Sequence, residues 1–398
     1  MKPKVSKIIR DVKERGDEAL IHYTEVFDGV KLERSQLKVS EEEIKQAYRK
    51  VSRNTLKALR KAARNIGRIH FRQLPKERVL VNSGGLKVIQ VFRPLDSVGL
   101  YIPGGRASYP STALMLAVPA KIAGVRRIVA CTPPARNGEV NPAVLVALDL
   151  AGVDEIFRVG GVQAIAAMAY GTETIPKTCK IFGPGNIYVT AAKTLVYGEV
   201  GIDLLAGPTE LVVFADDEAN IKFAVSDLLS QAEHDPNAVP ILLTTSESLA
   251  QKARIEIESR ADSSAAEAFK NWGAILVTES LEEAAEFINS FAPEHLEIVS
   301  RNPRKLLRLL RNVGSVSVGK YTPVSATDYA VGVNHVLPTG GAAKYASGIT
   351  VMDFMRAFTI QTLTRKALKS LSSIILDLAG VEGLRLHGEA VRERFKHD

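Results

Sequence analysis

The sequence has little cysteine, no long apolar run and no concentrated block of charge. Its two cysteines, Cys131 and Cys179, lie too far apart for a CxxC pair and are too few for a disulfide framework, so we expect a reducing compartment. No apolar run reaches the roughly 20 residues that a spanning helix requires, and the first twenty residues are amphipathic instead of signal-like. These absences predict a cytoplasmic protein without membrane contact.

The formal net charge of +8 does not by itself indicate nucleic acid as a partner, because Lys and Arg alternate with Asp and Glu along most of the chain. No interleaving of aromatic and basic residues is visible, so we predict no nucleic-acid binding. A nucleic-acid-binding protein stays open as an alternative and would show a steep salt dependence of affinity. A mildly cationic surface also suits a phosphorylated or dinucleotide ligand.

The length and composition predict a globular protein of more than one domain. A chain of 398 residues exceeds the size at which one core usually keeps growing, and 46% apolar with 24% charged residues is ordinary for globular proteins. The chain opens helically, since Ser40 and Glu43 form a capping-box pattern and apolar residues recur at helical spacing at Val5, Ile8, Ile9 and Val12.

Short β-branched runs alternate with helical patterns along most of the chain. Extended segments are predicted at 86–92, 98–102, 128–132, 155–161, 180–185, 211–216, 241–245, 274–278, 296–300 and 315–319. This rhythm is typical of βαβ units, so two parallel-sheet α/β domains are predicted. A boundary is placed near the Pro-Gly-Gly turn at 103–105, and helices are predicted from about 353 onward.

Glycine turns follow several of these strands, although no GxGxxG occurs at a strand end. The turns are Pro103-Gly-Gly, Val159-Gly-Gly and Phe182-Gly-Pro-Gly-Asn. Such turns can present backbone N–H groups to an anion, and ordinary tight turns are the alternative.

Two pairs of residues stand out for their chemistry. Gln231 and His234 are three apart on a helix predicted over 224–234, so they share a face that could hold a metal; a capping or packing His is the alternative. Glu294 and His295 place a carboxylate beside an imidazole at a helix-to-strand loop, where a general base could lie. A solvated Glu and a hydrogen-bonded loop His are the alternative there.

Further candidates lie towards the C-terminus. Asp328 and His335 fall in a Gly-rich irregular stretch from 322 to 348, as potential metal ligands or as an Asx-turn and a backbone-bonded His. His387 follows Glu382 by five residues in the last helical region, with surface placement as the alternative. No function is assigned to three histidines without sequence partners, His22, His70 and His397.

Several of these segments, taken in order, resemble the histidinol dehydrogenases. The motifs are GLYIPGG (99–105), IFRVGGVQAIAA (156–167), IFGPGN (181–186), AGPTE (206–210), SDLLSQAEHDP (226–236), APEHL (292–296) and DYAVGVNHVLPT (328–339). The resemblance extends over nearly the whole chain.

The resemblance implies an α/β fold of two Rossmann-like domains with parallel-rich sheets plus small helical terminal segments. The implied parts are an N-terminal helical segment (1–22), a substrate- and zinc-binding domain (23–100 and 209–348), an NAD-binding domain (101–208) and a C-terminal helical dimerisation segment (349–398). It further implies a homodimer with shared active sites. The implied reaction is oxidation of L-histidinol to L-histidine through L-histidinal, in histidine biosynthesis, with two NAD and one zinc per site.

The resemblance also implies roles for individual residues. The zinc ligands would be Gln231, His234, Asp328 and His387, the last from the other subunit, and all four would also contact substrate. His295 would accept the alcohol proton and contact substrate, and Glu294 would activate water. Thr209 and Glu382 would contact substrate, with Thr209 where many relatives have Ser. NAD would be contacted by Tyr101, Gln163 and Asn186, with His335 nearby.

A zinc hydrolase remains the competing interpretation from the residues, because His, Asp and a water-activating Glu would suffice for it. Such an enzyme would need neither a nicotinamide nor the glycine turns.

Overall fold

A computed structural model describes residues 1–104 and 108–396, and these residues form two compact units. The first unit comprises residues 1–73 and 95–354, and the second comprises 74–94 and 355–398. Within the described residues, no helix combines the length and the apolar character needed to cross a membrane.

Helices and strands alternate along most of the chain after an entirely helical start. The helices are α1 (Lys2–Arg15), α2 (Asp17–Asp28), α3 (Glu41–Lys50), α4 (Arg53–Arg72), α5 (Pro110–Ala123), α6 (Pro142–Leu150), α7 (Gly161–Tyr170), α8 (Ile187–Val196), α9 (Ile221–Ala232), α10 (Glu247–Arg260), α11 (Ser263–Trp272), α12 (Leu281–Phe291), α13 (Pro303–Leu309), α14 (Val324–Ala326), α15 (Arg365–Val381) and α16 (Arg385–Glu393). The strands are β1 (Arg78–Ser83), β2 (Leu86–Pro94), β3 (Ser97–Tyr101), β4 (Arg127–Cys131), β5 (Glu155–Phe157), β6 (Lys180–Phe182), β7 (Gly201–Ile202), β8 (Glu210–Ala215), β9 (Val239–Thr244), β10 (Ala274–Val277), β11 (His295–Val299), β12 (Ser315–Val318) and β13 (Met355–Leu363).

The first unit contains two parallel sheets with one topology. Among the described residues, the first sheet has the order β5-β4-β3-β6-β7 and the second has the order β10-β9-β8-β11-β12. Numbered along the chain within each sheet, both orders are 3-2-1-4-5, and every ladder is parallel. The predicted α/β class with two parallel sheets is therefore confirmed, and each predicted strand run overlaps an observed strand.

Apolar side chains on both faces explain why these strands form parallel sheets. Every residue of β8 is buried, as is every residue of β11, and buried faces of helices such as α9 pack against them. The predicted capping box is confirmed, since Glu43 N–H donates to the Ser40 side chain while the Glu43 carboxylate accepts from Ser40 N–H.

The opening helices belong with the first sheet. The predicted apolar face of α1 is buried, and it shares one core with α2, with Tyr101 of β3 and with α7. β3 is also the central strand of the first sheet. Helices α1 and α2 therefore pack with the first sheet, and the predicted division of the chain at 22 and 100 stays a prediction.

The second unit contains a three-stranded antiparallel sheet in the order β1-β2-β13, followed by α15 and α16. The expectation of helices from about 353 onward is wrong for β13. This nine-residue strand pairs with β2 along its whole length, from Met355 opposite Pro94 to Leu363 opposite Leu86. The helical tail begins only at Arg365.

A short segment without helix or strand joins the two parallel sheets. It runs from Asp203, just after β7, to Thr209, just before β8. Because all strands of each sheet are parallel, this segment leaves the carboxyl edge of the first sheet and enters the amino edge of the second. The candidate site lies where these two sheet edges come together.

Candidate active site

A cavity of about 170 Å³ lies where the two sheet edges meet. Gly183, Pro184 and the 203–207 segment line it from the first sheet, and Thr209 and Glu294 line it from the second. In open α/β sheets, ligands usually bind at the carboxyl ends of strands. The first sheet follows this rule, whereas the second sheet contributes side chains from its amino edge.

Backbone geometry fixes the position of Glu294. Ala292, the residue after α12, has a left-handed backbone conformation (φ 56°) that costs a non-glycine residue about 1 kcal/mol or more. Gly314 N–H donates to Pro293 O (2.9 Å), and Ser315 N–H donates to Glu294 O (2.9 Å). A Cβ on Gly314 would lie 2.5 Å from Glu294 O, so only glycine allows this approach.

A chain of hydrogen bonds connects Glu294 to helix α9. Thr209 Oγ1 donates to Glu294 Oε2 (2.7 Å), and Gln231 Nε2 donates in turn to Thr209 Oγ1. Glu210 N–H also donates to Glu294 Oε2 (3.1 Å). The carboxylate is therefore buried and fully oriented, so the solvated Glu considered from the sequence does not describe it.

Burial shifts the pKa values of Glu294 and His295 in opposite directions. Burial raises the pKa of Glu294 to about 8, with added effects of Glu210 and Asp328, while the hydrogen bonds from Thr209 and from Glu210 N–H oppose the shift. Burial lowers the pKa of His295 to about 3, assisted by two neighbouring imidazoles. His295 Nε2 lies 3.9 Å from Glu294 Oε1. An imidazole in water has a pKa near neutrality, and the 5% exposure of this ring explains the difference.

His335 and Asp328 are held together in the irregular stretch. His335 Nδ1 donates to Asp328 O (3.0 Å), which leaves Nε2 to accept from Thr112 Oγ1 (3.2 Å). Burial lowers the pKa of His335 to about 4 and raises that of Asp328 to about 7. The backbone-bonded His considered from the sequence is thus what the structure shows, and it lies on the cavity wall.

The donor set of the expected zinc site is chemically suitable. Gln231 Nε2 is used by Thr209, so its Oε1 is the atom left for a cation. Asp328 makes no side-chain hydrogen bond or ion pair within the described part of the chain, although it is half-buried. His234 lies exposed just beyond the end of α9.

Two expected contributors lie in the second unit. Glu382 is the residue after α15 and His387 lies in α16, and both side chains are exposed there. Accordingly, no group of three or more His, Cys, Asp or Glu side chains able to hold a metal forms within residues 1–104 and 108–396 of one chain.

The expected NAD contacts lie at the carboxyl edge of the first sheet. Tyr101 ends β3, and its hydroxyl accepts from Gly161 N–H (3.1 Å) at the start of α7. Gln163 in the first turn of α7 is completely buried, and among residues 1–104 and 108–396 neither its Nε2 nor its Oε1 has a hydrogen-bond partner. A buried amide without partners fits a site that a polar ligand completes.

The glycine turn after β6 brings the backbone close to this edge. Gly183 has φ 124°, and a Cβ there would lie 2.0 Å from Tyr101 O. Asn186 caps α8 through Oδ1, which accepts from Tyr188 N–H and Val189 N–H. Its amide NH₂ is the part left for a cofactor. Gly105, in the predicted Pro-Gly-Gly turn, and His397 lie outside the described residues.

Sequence reasoning missed a buried cation beside this cavity. Lys193 of α8 is 1% exposed and pairs with Asp203, which lines the cavity. The signal was available, because Lys193 lies among the apolar residues Val189, Ala192 and Val196 on the buried face of the helix.

Fold and site together define the class of protein: an α/β enzyme of two parallel sheets, with a buried carboxylate and imidazole at their junction. Comparison with known proteins then gives the family. The family model described as histidinol dehydrogenase matches residues 1–395.

Individual relatives agree over almost the full length. The chain is 48% identical to the histidinol dehydrogenase of Methanocaldococcus jannaschii, over 99% of this chain and 92% of the relative. It is also 48% identical to that of Archaeoglobus fulgidus, over 99% and 95%. The crystal structure of histidinol dehydrogenase from Elizabethkingia anophelis matches with a TM-score of 0.95 and 40% identity, covering 99% of this chain and 92% of that one. The chain belongs to the histidinol dehydrogenase family, and it is an oxidoreductase.

Proposed function

We propose that this protein oxidises L-histidinol to L-histidine through L-histidinal, as a cytoplasmic step of histidine biosynthesis, using two NAD and one zinc per site. The observation that carries the proposal is the position of the buried Glu294–His295 pair. Glu294 lines a cavity that is also lined by the carboxyl edge of the first sheet, and in parallel α/β sheets this edge commonly binds nucleotides. Family membership supports the choice of substrate.

Gln231, His234 and Asp328 are proposed to hold zinc, with His387 supplied by the partner subunit of a homodimer. Nitrogen and oxygen ligands of this kind suit zinc, and a site that keeps a free position suits a substrate with amine and imidazole groups. Thr209, and Glu382 from the partner, would contact the substrate. Tyr101, Gln163 and Asn186 would hold NAD, whose polar groups would satisfy the orphaned Gln163 amide.

When bound, zinc supplies a positive charge that orients the substrate, and NAD supplies the hydride acceptor. The protein supplies the proton transfers. His295 is neutral in the folded protein, so its ring can accept the hydroxyl proton as hydride leaves the carbinol carbon. Glu294, whose Oε1 lies 3.9 Å from His295 Nε2, would stabilise the resulting imidazolium when it is ionised.

Glu294 is proposed to act in the second oxidation. The aldehyde must gain a water oxygen before a second hydride can leave, and Glu294, once ionised, can take a proton from that water; with a pKa of about 8 it is ionised mainly above that pH. Its raised pKa makes it a stronger base than an ordinary carboxylate. Thr209 and Glu210 N–H hold the carboxylate in place for this step.

The proposal is tested by supplying zinc-loaded protein with histidinol and NAD and following NADH and histidine. We expect about two NADH for each histidine formed, as the two successive oxidations require. Absence of NADH formation by zinc-loaded protein would refute the proposal. Hydrolysis of esters or amides without NAD would instead support the zinc hydrolase.

His295→Asn is expected to lower kcat by about a hundredfold or more, because it removes the proton acceptor while keeping a polar side chain of similar size. Zinc content, measured by atomic absorption, should stay at the wild-type level. A variant that loses zinc would show that His295 is a ligand and not the base.

A further inference from the structure

Lys193 and Asp203 form a buried ion pair for which the proposed reaction has no use. The side chains of Lys193 and Asp203 are each 2% exposed. Replacing a buried ion pair by well-packed apolar residues is often neutral or stabilising, so such a pair is weak evidence for a purely structural role. The position of the pair, at the carboxyl edge of the first sheet, says more about its role.

All three donors of the Lys193 ammonium are used at the carboxyl edge of the first sheet. Nζ donates to Gly183 O (3.1 Å), to Leu204 O (2.6 Å) and to a carboxylate oxygen of Asp203. The other carboxylate oxygen of Asp203 accepts from Gly183 N–H (2.7 Å). The two side chains of the pair therefore connect the turn after β6 to the segment after β7, through hydrogen bonds to each other and to backbone groups of both segments.

The direction of α8 explains how a lysine two turns into the helix reaches this edge. The helix starts at the carboxyl edge, just after the 183–186 turn, and runs back along the sheet. Side chains of a helix tilt towards its N-terminus, so the Lys193 chain points back towards the turn. The two backbone segments that it joins both line the cavity beside Thr209 and Glu294.

We propose that Lys193 and Asp203 are positioning residues, which hold the 183–184 turn and the 203–206 segment in the arrangement that the nicotinamide end of NAD requires beside Glu294. This rests on the proposed function, since it takes NAD as the ligand of the first sheet. Neither residue needs to touch the cofactor. Displacing a wall of a site by about 1 Å can cost on the order of a hundredfold in activity.

Three variants test the role. Asp203→Asn keeps the shape and one acceptor oxygen but removes the charge, and Lys193→Met removes all three donors. The double variant Lys193→Met/Asp203→Asn leaves no unpaired buried charge. It can therefore be measured in place of Lys193→Met if that single variant does not fold. The zinc-loaded proteins are compared for NAD affinity by calorimetry, for KM and kcat, and for Tm.

Asp17→Asn is the matched control. Asp17 is also a buried carboxylate near the first sheet, where it accepts from Thr174 N–H (3.2 Å) and lies 3.3 Å from Arg34 Nε. The Thr174 loop leads into β6, so it lies at the amino edge, opposite the cavity. Asp17→Asn is therefore expected to lower stability without changing the structure of the carboxyl edge.

We expect the double variant to bind NAD about ten- to a hundredfold more weakly, with KM for NAD raised in parallel and a smaller effect for Asp203→Asn. The affinity for histidinol should change less than the affinity for NAD. Asp17→Asn should lower Tm and leave the NAD affinity unchanged.

Variants that lose Tm but keep wild-type NAD affinity and KM would overturn the inference, because the pair would then be structural only. Equal losses of NAD affinity in Asp17→Asn would overturn it as well. A wild-type protein that neither binds NAD nor oxidises histidinol would instead refute the proposed function, so the two failures are distinguishable.

Discussion

At the scale of single residues, Thr209 has a more specific role than its type suggests. Its hydroxyl donates to Glu294 and accepts from Gln231, so one oxygen joins the expected base to an expected zinc ligand. A methyl group in place of the hydroxyl would leave the Glu294 oxygen with one donor fewer in a buried site. Hydrogen bonds to charged groups contribute about 1.5–3 kcal/mol.

Thr209→Val is therefore expected to lower kcat by about ten- to a hundredfold, since 1.4 kcal/mol corresponds to a factor of about ten. The measurement is steady-state kinetics with saturating NAD. Thr209→Ser is the matched control: it keeps the hydroxyl and should retain near-wild-type kcat. Equal activity of Thr209→Val and Thr209→Ser would mean that the hydroxyl has no part in orienting Glu294.

The residue types of the site were predictable, but their ionisation was not. Glu294 next to His295 in APEHL suggested an acid–base pair, and the pair is buried together. Burial depends on residues far away in sequence, such as Thr209 and Glu210, so no local pattern indicated the shifts of their pKa values. The burial of Lys193 could be read from the apolar residues around it in α8, but its partners at 183 and 203 could not, because only the sheet brings them together.

At the scale of elements, the packing of α9 on β11 buries a second carboxyl pair. Asp227 lies one turn before Gln231 in α9, and Glu297 lies two residues after His295 in β11; both are buried and interact with each other. Burial raises the pKa of Glu297, and the adjacent Asp227 raises it further. Glu297 thus retains its proton in the folded protein beside Asp227.

This carboxyl pair gives stability a definite dependence on pH. Unfolding at neutral pH releases the Glu297 proton, because the unfolded pKa is near its ordinary 4.5. Stability from this group is therefore present below that value and is lost as pH rises towards the folded pKa, with a limiting slope of about 1.4 kcal/mol per pH unit.

Glu297→Gln is expected to flatten the decline of the unfolding free energy between about pH 6 and about pH 8, because the amide can donate to Asp227 without titrating. Urea unfolding at a series of pH values measures this. Glu267→Gln, on the exposed side of α11, is the matched control and should keep the wild-type slope. An unchanged slope in Glu297→Gln would contradict the retention of a proton by Glu297 in the folded protein.

The elements themselves were predictable to very different degrees. The runs at 211–216 and 241–245 are short, β-branched and apolar, and burial of both strand faces makes such runs unambiguous. β13 carried no such signal, because nearly all of it is exposed and neither of its faces is buried. Its structure comes from pairing with β2, more than 260 residues earlier in the chain.

At the scale of the whole molecule, the two parallel sheets have the same strand order but place their site residues at opposite edges. The sequence rhythm predicted both sheets, and the family resemblance predicted their assignment to cofactor and substrate. The rhythm could not show that α1 and α2 pack on the first sheet, since that depends on tertiary contacts of apolar faces.

The proposed homodimer with shared sites leads to a test by complementation. His234→Ala and His387→Ala are each expected to be inactive, because each site would use His234 of one chain and His387 of the other. Unfolding and refolding an equal mixture should restore about a quarter of wild-type activity, since half of the dimers are then mixed and each has one intact site.

A mixture of His234→Ala with His295→Asn is the control. Those two residues would serve the same site from the same chain, so no mixed dimer has an intact site and no activity should return. Recovery in the control, or none in the first mixture, would argue against sites shared in this way.

The seven residues from Asp203 to Thr209 span the gap between the two sheets without a helix or strand to absorb changes in length. An extended residue advances the chain by about 3.3 Å, so one insertion would displace the hydroxyl at Thr209 relative to the ammonium of Lys193 by more than a hydrogen bond can tolerate. Neighbouring side chains can adjust to a substitution within residues 203–209, but they cannot correct a change in the length of this segment. The length of this segment therefore sets the distance between Lys193 beside the first sheet and Thr209 at the edge of the second.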